Sequence, residues 1–308
     1  MKVLIITNYN YGHFLAECLD SVVGQGVPFD KVIFVDDGST DGSVSIVNKY
    51  ADKLQGLVVV NKQNGGQLSC LNRAVSYIED DDIVFFLDSD DLYPRDYLER
   101  VVNHFDSDTD FVFCFAHYYR PGIDEPLQRS EVSRKAAQML PCSSSITRFS
   151  WAWIGNPTST VSMRGWVLKR IVPYADEGNW RTRADDLLVW GASLVGASKK
   201  YVPSIGISYR VHGDNNFFGK RTTRIANRNF NIEVFFNSVL QKNQLGSTVR
   251  MNCLLTELAL ADPRVFLLPN VPLSIRGLLP VAYLFAAFKW GKQIFLRVRS
   301  KWRIGCIW

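Results

Sequence analysis

No aspartate or glutamate follows Asp262. Beyond it Arg264, Arg276, Lys289, Lys292, Arg297, Arg299, Lys301 and Arg303 supply eight positive charges, so the overall net charge of +5 leaves the first 262 residues at −3. A slightly acidic body lacks the electrostatic footprint of a nucleic-acid-binding domain, and no nucleic-acid partner is expected. The six cysteines, at 18, 70, 114, 142, 253 and 306, have no paired spacing, which excludes a disulfide framework or zinc site and points to a reducing, cytosolic compartment. Long apolar runs are missing too. The uncharged stretch Gly277–Phe288 in the basic tail has twelve residues, against the roughly 20 needed to span a bilayer. The N-terminus turns polar after six residues and reads as a first strand, not a signal peptide. With 47% hydrophobic and 21% charged residues, the chain is too apolar for disorder and has the size of a globular enzyme.

Strand and helix signals alternate along the first hundred residues. Apolar runs at 3–6, 32–35, 57–60 and 83–87 are separated by helical stripes, one carrying Phe14, Leu15, Cys18, Leu19, Val22 and Val23, the other Leu68, Leu71, Ala74, Val75 and Ile78. This pattern predicts right-handed βαβ units, an α/β fold with a mostly parallel sheet and helices on both faces. Ligands bind such sheets at the carboxyl ends of the strands. Those ends read Thr7-Asn8-Tyr9-Asn10, Asp36-Asp37-Gly38-Ser39-Thr40-Asp41, Asn61-Lys62-Gln63-Asn64-Gly65-Gly66 and Asp88-Ser89-Asp90-Asp91. Each could be an ordinary turn, and Asp41 reads as a helix N-cap. The three carboxylates within four positions at 88–91 have two readings, a strand exit or a divalent-cation site that relieves their repulsion.

Taken in order, Thr-x-Tyr-Asn, Val-Asp-Asp-Gly-Ser-Thr-Asp, Asn64-Gly65-Gly66 followed by Asn72, and Leu-Asp-Ser-Asp-Asp resemble the nucleotide-sugar-binding half of family 2 glycosyltransferases, inverting enzymes of the GT-A (Rossmann-like) fold. The resemblance covers residues 1–120 well and continues more loosely to about 217. It implies a donor site formed by Thr7, Tyr9, Asp36, Asp37, Gly66, Asn72, Asp88 and Asp90, with Asp37 on the base, commonly uracil. It implies that Asp88, Asp90 and Asp91 hold Mn2+ or Mg2+ against the diphosphate, with His212 completing the metal or diphosphate site. Inverting transfer also needs a general base for the acceptor hydroxyl. The acidic pair before Trp190, Asp185-Asp186, fits that signature, with Asp-Asp where Glu-Asp is common; either residue can be the base. An N-terminal helix decoration is the alternative for this pair. Arg221 and Arg224 could reach the diphosphate from a lid, and Trp151, Trp153, Asn156 and Trp166 come from the part that shapes the acceptor pocket in relatives.

The resemblance implies a metal-dependent transfer from a nucleotide-diphosphate sugar, with a uridine nucleotide favoured, to a hydroxyl of a glycan or lipid-linked acceptor in bacterial surface-polysaccharide synthesis. The rivals are a receiver-like signalling domain, which needs a lysine at the end of a later strand, and a non-catalytic sugar-binding homologue, which would have lost the acids. A catalytic domain is expected over 1–220, followed by a helical region over 221–308. The tail mixes Phe, Leu and Trp with cations and reads as an interfacial helix on an anionic membrane surface, placing the protein in the cytoplasm, peripheral to the inner face of the membrane. The alternative is a helix that docks on the catalytic domain or on a second copy of the chain.

Overall fold

A computed structural model describes residues 1–140, 143–213 and 225–245. Among them, residues 1–140, 143–147, 151–213 and 225–245 belong to one compact unit. Arg221, Arg224 and the basic tail lie outside the described residues.

The element order is β1 (Lys2–Asn8), α1 (Gly12–Val23), β2 (Lys31–Asp36), α2 (Ser43–Asn48), β3 (Leu57–Asn61), α3 (Gln67–Ala74), β4 (Ile83–Asp88), α4 (Tyr97–Val102) and β5 (Phe111–Tyr119). Then follow β6 (Gln138–Leu140), α5 (Ser143–Ser150), β7 (Val161–Arg164), α6 (Gly165–Ile171), α7 (Ala184–Leu194), β8 (Lys199–Arg210) and α8 (Ile225–Lys242). The strands make one sheet in the order β3-β2-β1-β4-β7-β5-β8-β6. The four strands expected from the apolar runs form its parallel half, with β1 between β2 and β4 and β2 beside β3. The other half is mixed. The short β7 runs antiparallel to both β4 and β5, β8 returns parallel to β5, and β6 closes the edge antiparallel to β8.

A core lies on each face. On one, Leu15, Cys18, Leu19 and Val22 of α1 pack with Tyr97, Leu98 and Val101 of α4 against alternate sheet residues such as Leu4, Ile6, Phe34 and Phe85. On the other, α3, α6, α7 and α8 cover Val3, Ile5, Ile33, Val84 and Phe86. From Asp186 to Leu194 every α7 residue is buried, as expected of a helix that is apolar all round. The last helix belongs to this core: Ile232, Phe235, Phe236, Val239 and Leu240 of α8 are all buried, with the Phe235 ring 5.2 Å from Tyr174 and 5.9 Å from Trp180. Burial on both faces leaves the carboxyl edge of β1, β2 and β4 as the place where polar side chains gather.

Candidate active site

The acidic loop after β4 is fixed from several directions. Asp91 is 1% exposed. Its Oδ2 accepts the Ser159 hydroxyl at 2.6 Å and its Oδ1 accepts the Arg210 backbone N–H at 2.9 Å. The same Ser159 hydroxyl accepts the Asp88 N–H. The Arg210 guanidinium donates to the Asp90 carbonyl at 2.7 Å and to Glu17 at 2.6 Å, and it lies 4.6 Å above the Phe14 ring. The Asp91 carboxylate is thus turned into the fold, where it shapes the loop.

Asp88 and Asp90 remain at the strand end. Asp88 Oδ1 accepts from the Thr7 hydroxyl at 3.2 Å and from the Gln67 amide at 2.8 Å. Burial, then the charges of Asp90 and Asp185, push the Asp88 carboxyl up to about 7, with the Thr7 and Gln67 hydrogen bonds pulling the other way. Asp90 Oδ2 lies 3.0 Å from His212 Nε2. The His212 ring packs against Phe14 and Tyr11 of the α1 N-terminal region, at centroid distances of 4.6 and 5.5 Å. Among the described residues no three His, Cys, Asp or Glu side chains form a group that could hold a metal ion. The donor types at this edge, carboxylate oxygens of Asp88 and Asp90 and the imidazole of His212, are ones that Mn2+ or Mg2+ accept.

The paired acids on α7 are strongly differentiated. Asp186 is 1% exposed and held by two guanidinium groups, with Arg183 Nε at 3.0 Å and an Arg228 nitrogen of α8 at 2.8 Å. Asp185 is half-buried and makes no ion pair of that kind; its Oδ1 accepts the Asp186 N–H at 3.0 Å. Burial and then the charge of Asp186 push the Asp185 carboxyl up to about 7, against the pull of Arg183, the Asp186 N–H and Arg228. The rise at Asp88 that comes from Asp185 sets these two carboxylates in one electrostatic environment, although they lie 97 residues apart in sequence.

The second and third strand ends form a wall beside this site. Asp37 is buried, and its carboxylate accepts the Gly65 N–H at 2.9 Å, the Gly66 N–H at 2.7 Å and the Lys62 ammonium at 2.5 Å. Asp37 therefore shapes the loop after β3. Asp36 ties β1 to β2 by accepting from Asn8 Nδ2 at 2.9 Å and from the Ser39 N–H at 2.8 Å. Gly66 has φ +90°, and a Cβ there would sit 2.3 Å from the Arg181 Cα, so the loop needs glycine. A cleft of about 390 Å³ opens at this loop, lined by Lys62, Gln63, Asn64, Gly65, Ser69, Arg73 and Glu177. Tyr9 is 48% exposed at the end of β1.

Other expected residues make contacts within the fold. The Asn72 amide accepts the Tyr174 N–H at 3.0 Å and donates to the Tyr174 carbonyl at 2.8 Å and to Glu177 at 2.7 Å. Asp41 accepts the first N–H groups of two helices, Gly12 at 2.7 Å and Ser43 at 3.1 Å. Trp151, Trp153 and Trp166 pack, partly buried, against the core under α7 and α8, and Asn156 donates to the Cys114 carbonyl at 2.5 Å. Gln67 and Ser159, which hold the acidic groups, carry no motif of their own in the sequence; Arg210 lies in the segment 208–216 with His212, which also resembles the family. Of the lysines, Lys62 follows β3 at this edge and pairs with Asp37. Lys199 and Lys200 instead open β8 at the opposite edge, where Lys199 donates to the Ile154 and Val189 carbonyls and Lys200 pairs with Asp106.

A doubly wound sheet with acids at its carboxyl edge and a second acidic helix terminus is the architecture of the GT-A fold. Residues 3–164 match the model of glycosyl transferase family 2, and the chain belongs to that family. It is 31% identical over 223 residues to an uncharacterized glycosyltransferase of Nostoc sp., spanning 70% of this chain and 66% of that protein. It is 37% identical over 108 residues to poly(ribitol-phosphate) beta-glucosyltransferase of Bacillus spizizenii, spanning 33% of this chain and 17% of that protein. The chain thus matches less than two thirds of the length of both relatives. In three dimensions it is similar to residues 1–349 of TarS from S. aureus, crystallised with UDP-GlcNAc, at 20% identity and a TM-score of 0.57 over 92% of this chain and 79% of that one.

Proposed function

We propose that the chain transfers a sugar from a uridine-diphosphate sugar to a hydroxyl of a glycan or lipid-linked acceptor in bacterial surface-polysaccharide synthesis, by a single inverting displacement. The observation that carries the reading is the meeting of two acidic elements: the strand end with Asp88 and Asp90, and the α7 terminus with Asp185, joined by the Gln67 amide, which donates to Asp88 Oδ1 at 2.8 Å and accepts the Ala184 N–H at 3.0 Å. The UDP-GlcNAc in the similar TarS structure and the polymer glucosyltransferase relative support the donor and acceptor classes.

In this reading Thr7, Tyr9 and the loop held by Asp36, Asp37 and Gly66 bound the nucleoside. Asp88 and Asp90, with His212, would hold Mn2+ or Mg2+. Such an ion, when bound, supplies a Lewis acid for the departing diphosphate. Asp185 takes the proton from the acceptor hydroxyl; a carboxylate raised to about 7 is matched to that task near neutral pH. Asp186, neutralised by Arg183 and Arg228, orients the helix that carries Asp185. Trp151, Trp153 and Trp166 border the acceptor side. The protein would work in the cytoplasm on the inner face of the membrane. No helix among the described residues is long and apolar enough to cross a bilayer.

The test is a thermal-shift panel of nucleoside diphosphates and their sugars, each with and without Mn2+. A ligand that binds only the native state raises its stability by mass action. UDP or a UDP-sugar should raise Tm only with Mn2+ in wild type, and Asp90→Asn should abolish that rise without lowering the ligand-free Tm. A metal-independent rise, or none for any nucleotide, would contradict the proposal.

A further inference from the structure

Helix α7 starts without a side-chain cap of its own: its N-cap Arg183 has φ 67° and makes no side-chain capping hydrogen bond. The N–H of Ala184, the first helical residue, is instead taken at 3.0 Å by Oε1 of Gln67, 117 residues earlier in the chain. The other end of the same amide donates to Asp88 Oδ1 at 2.8 Å and, more weakly, to the Thr158 hydroxyl at 3.4 Å. The Gln67 backbone N–H is held as well, by the Arg181 carbonyl at 2.8 Å. From these contacts we infer that Gln67 is a positioning residue that fixes the α7 terminus, and with it Asp185, at a set distance from Asp88.

The chemistry selects glutamine for this place. The bridge needs a donor toward a carboxylate and an acceptor toward a backbone N–H on one side chain, and a primary amide provides both. Glutamate has no N–H for Asp88 and brings a further negative charge. Lysine has no acceptor for Ala184. The opposite demands at the two ends also settle which way the amide points. A buried helix terminus left without its partner loses the order of its first turn, and that turn carries Asp185. Gln67 touches neither reacting atom in this scheme; it acts through the groups it holds. The inference rests on the proposed roles of Asp88 and Asp185.

Two variants separate its two bonds. Gln67→Met keeps the length and removes both; Gln67→Glu keeps an acceptor for Ala184 and removes the donor to Asp88. Hydrogen exchange read by mass spectrometry on the ligand-free chain should show the Ala184–Asp186 amides exchanging about tenfold faster in Gln67→Met, while later α7 amides stay protected. In Gln67→Glu the first turn should regain its protection. Turnover of the nucleotide sugar selected by the thermal-shift panel, followed as release of the nucleoside diphosphate, should fall roughly 10- to 100-fold in kcat for both variants. The donor KM should change by less than about threefold in Gln67→Met, the split expected when placement of the base is lost and donor contacts are kept. Wild-type exchange in the first turn of Gln67→Met would overturn the inference. So would unchanged kcat, or a loss of protection spread over the whole chain. An Asp185→Asn control separates the underlying reading: if that variant keeps its turnover, the base assignment fails whatever the exchange of α7 shows.

Discussion

Asp185 and Asp186 are adjacent, yet their surroundings give them different chemistry. Two guanidinium groups hold the buried Asp186, whose carboxyl burial raises against their pull, whereas Asp185 makes no ion pair of that kind among the described residues and is raised to about 7. A carboxyl raised in the folded state stabilises the fold fully below its unfolded value, near 4, and loses that contribution as pH rises through about 7. Neutralising it should therefore help the fold at neutral pH. Asp185→Asn is expected to be more stable than wild type at pH 7.5, by on the order of 1–3 kcal/mol, with the difference fading toward pH 4. Urea denaturation at several pH values checks this, and a gain that stays constant with pH would contradict it. The choice between these two acids was not legible in the sequence, because a one-residue step at a helix terminus decides which carboxylate meets the arginines, and one of those arginines comes from α8.

At the scale of elements, the four parallel strands were legible because each is a short apolar run that stops on polar turn residues, and the stripe of α1 matches its buried face, Leu15, Cys18, Leu19 and Val22. The mixed half of the sheet was harder. The four-residue β7 is too short for periodicity to reveal, and its antiparallel pairing joins segments about 80 residues apart in sequence. Separations of 68 and 117 residues hide Ser159 and Gln67, whose hydrogen bonds to Asp91 and Ala184 depend on tertiary structure alone. Gly66 was visible as part of a motif, but its physical reason appears only in the fold, where the Arg181 backbone crosses it. Gly66→Ala should displace that crossing and cost about 1–3 kcal/mol, weakening nucleotide affinity along with stability. Calorimetric UDP binding, combined with denaturation, reads both, and an alanine variant with wild-type values in each would count against this packing.

At the scale of the whole molecule, the unit that bears the site runs through α8, since Arg228 pairs with Asp186 and Phe235 and Phe236 fill the core below α7. The basic segment beyond it supplies the proposed membrane contact, with each Lys or Arg worth on the order of 1 kcal/mol near an anionic surface. Full-length protein should pellet with anionic liposomes at low salt and be released at high salt, whereas a chain ending near residue 275 should stay in solution. Equal pelleting of both forms would rule out this role. The central claim is that Asp185 is the base of a metal-dependent sugar transfer, and single-turnover transfer from the donor selected by the thermal-shift panel, with Mn2+, tests it most directly. Asp185→Asn should lower the rate by about 10²–10⁴-fold at nearly unchanged donor affinity, and Asp186→Asn should lower Tm more than it lowers the rate. A wild-type rate in Asp185→Asn would contradict the account.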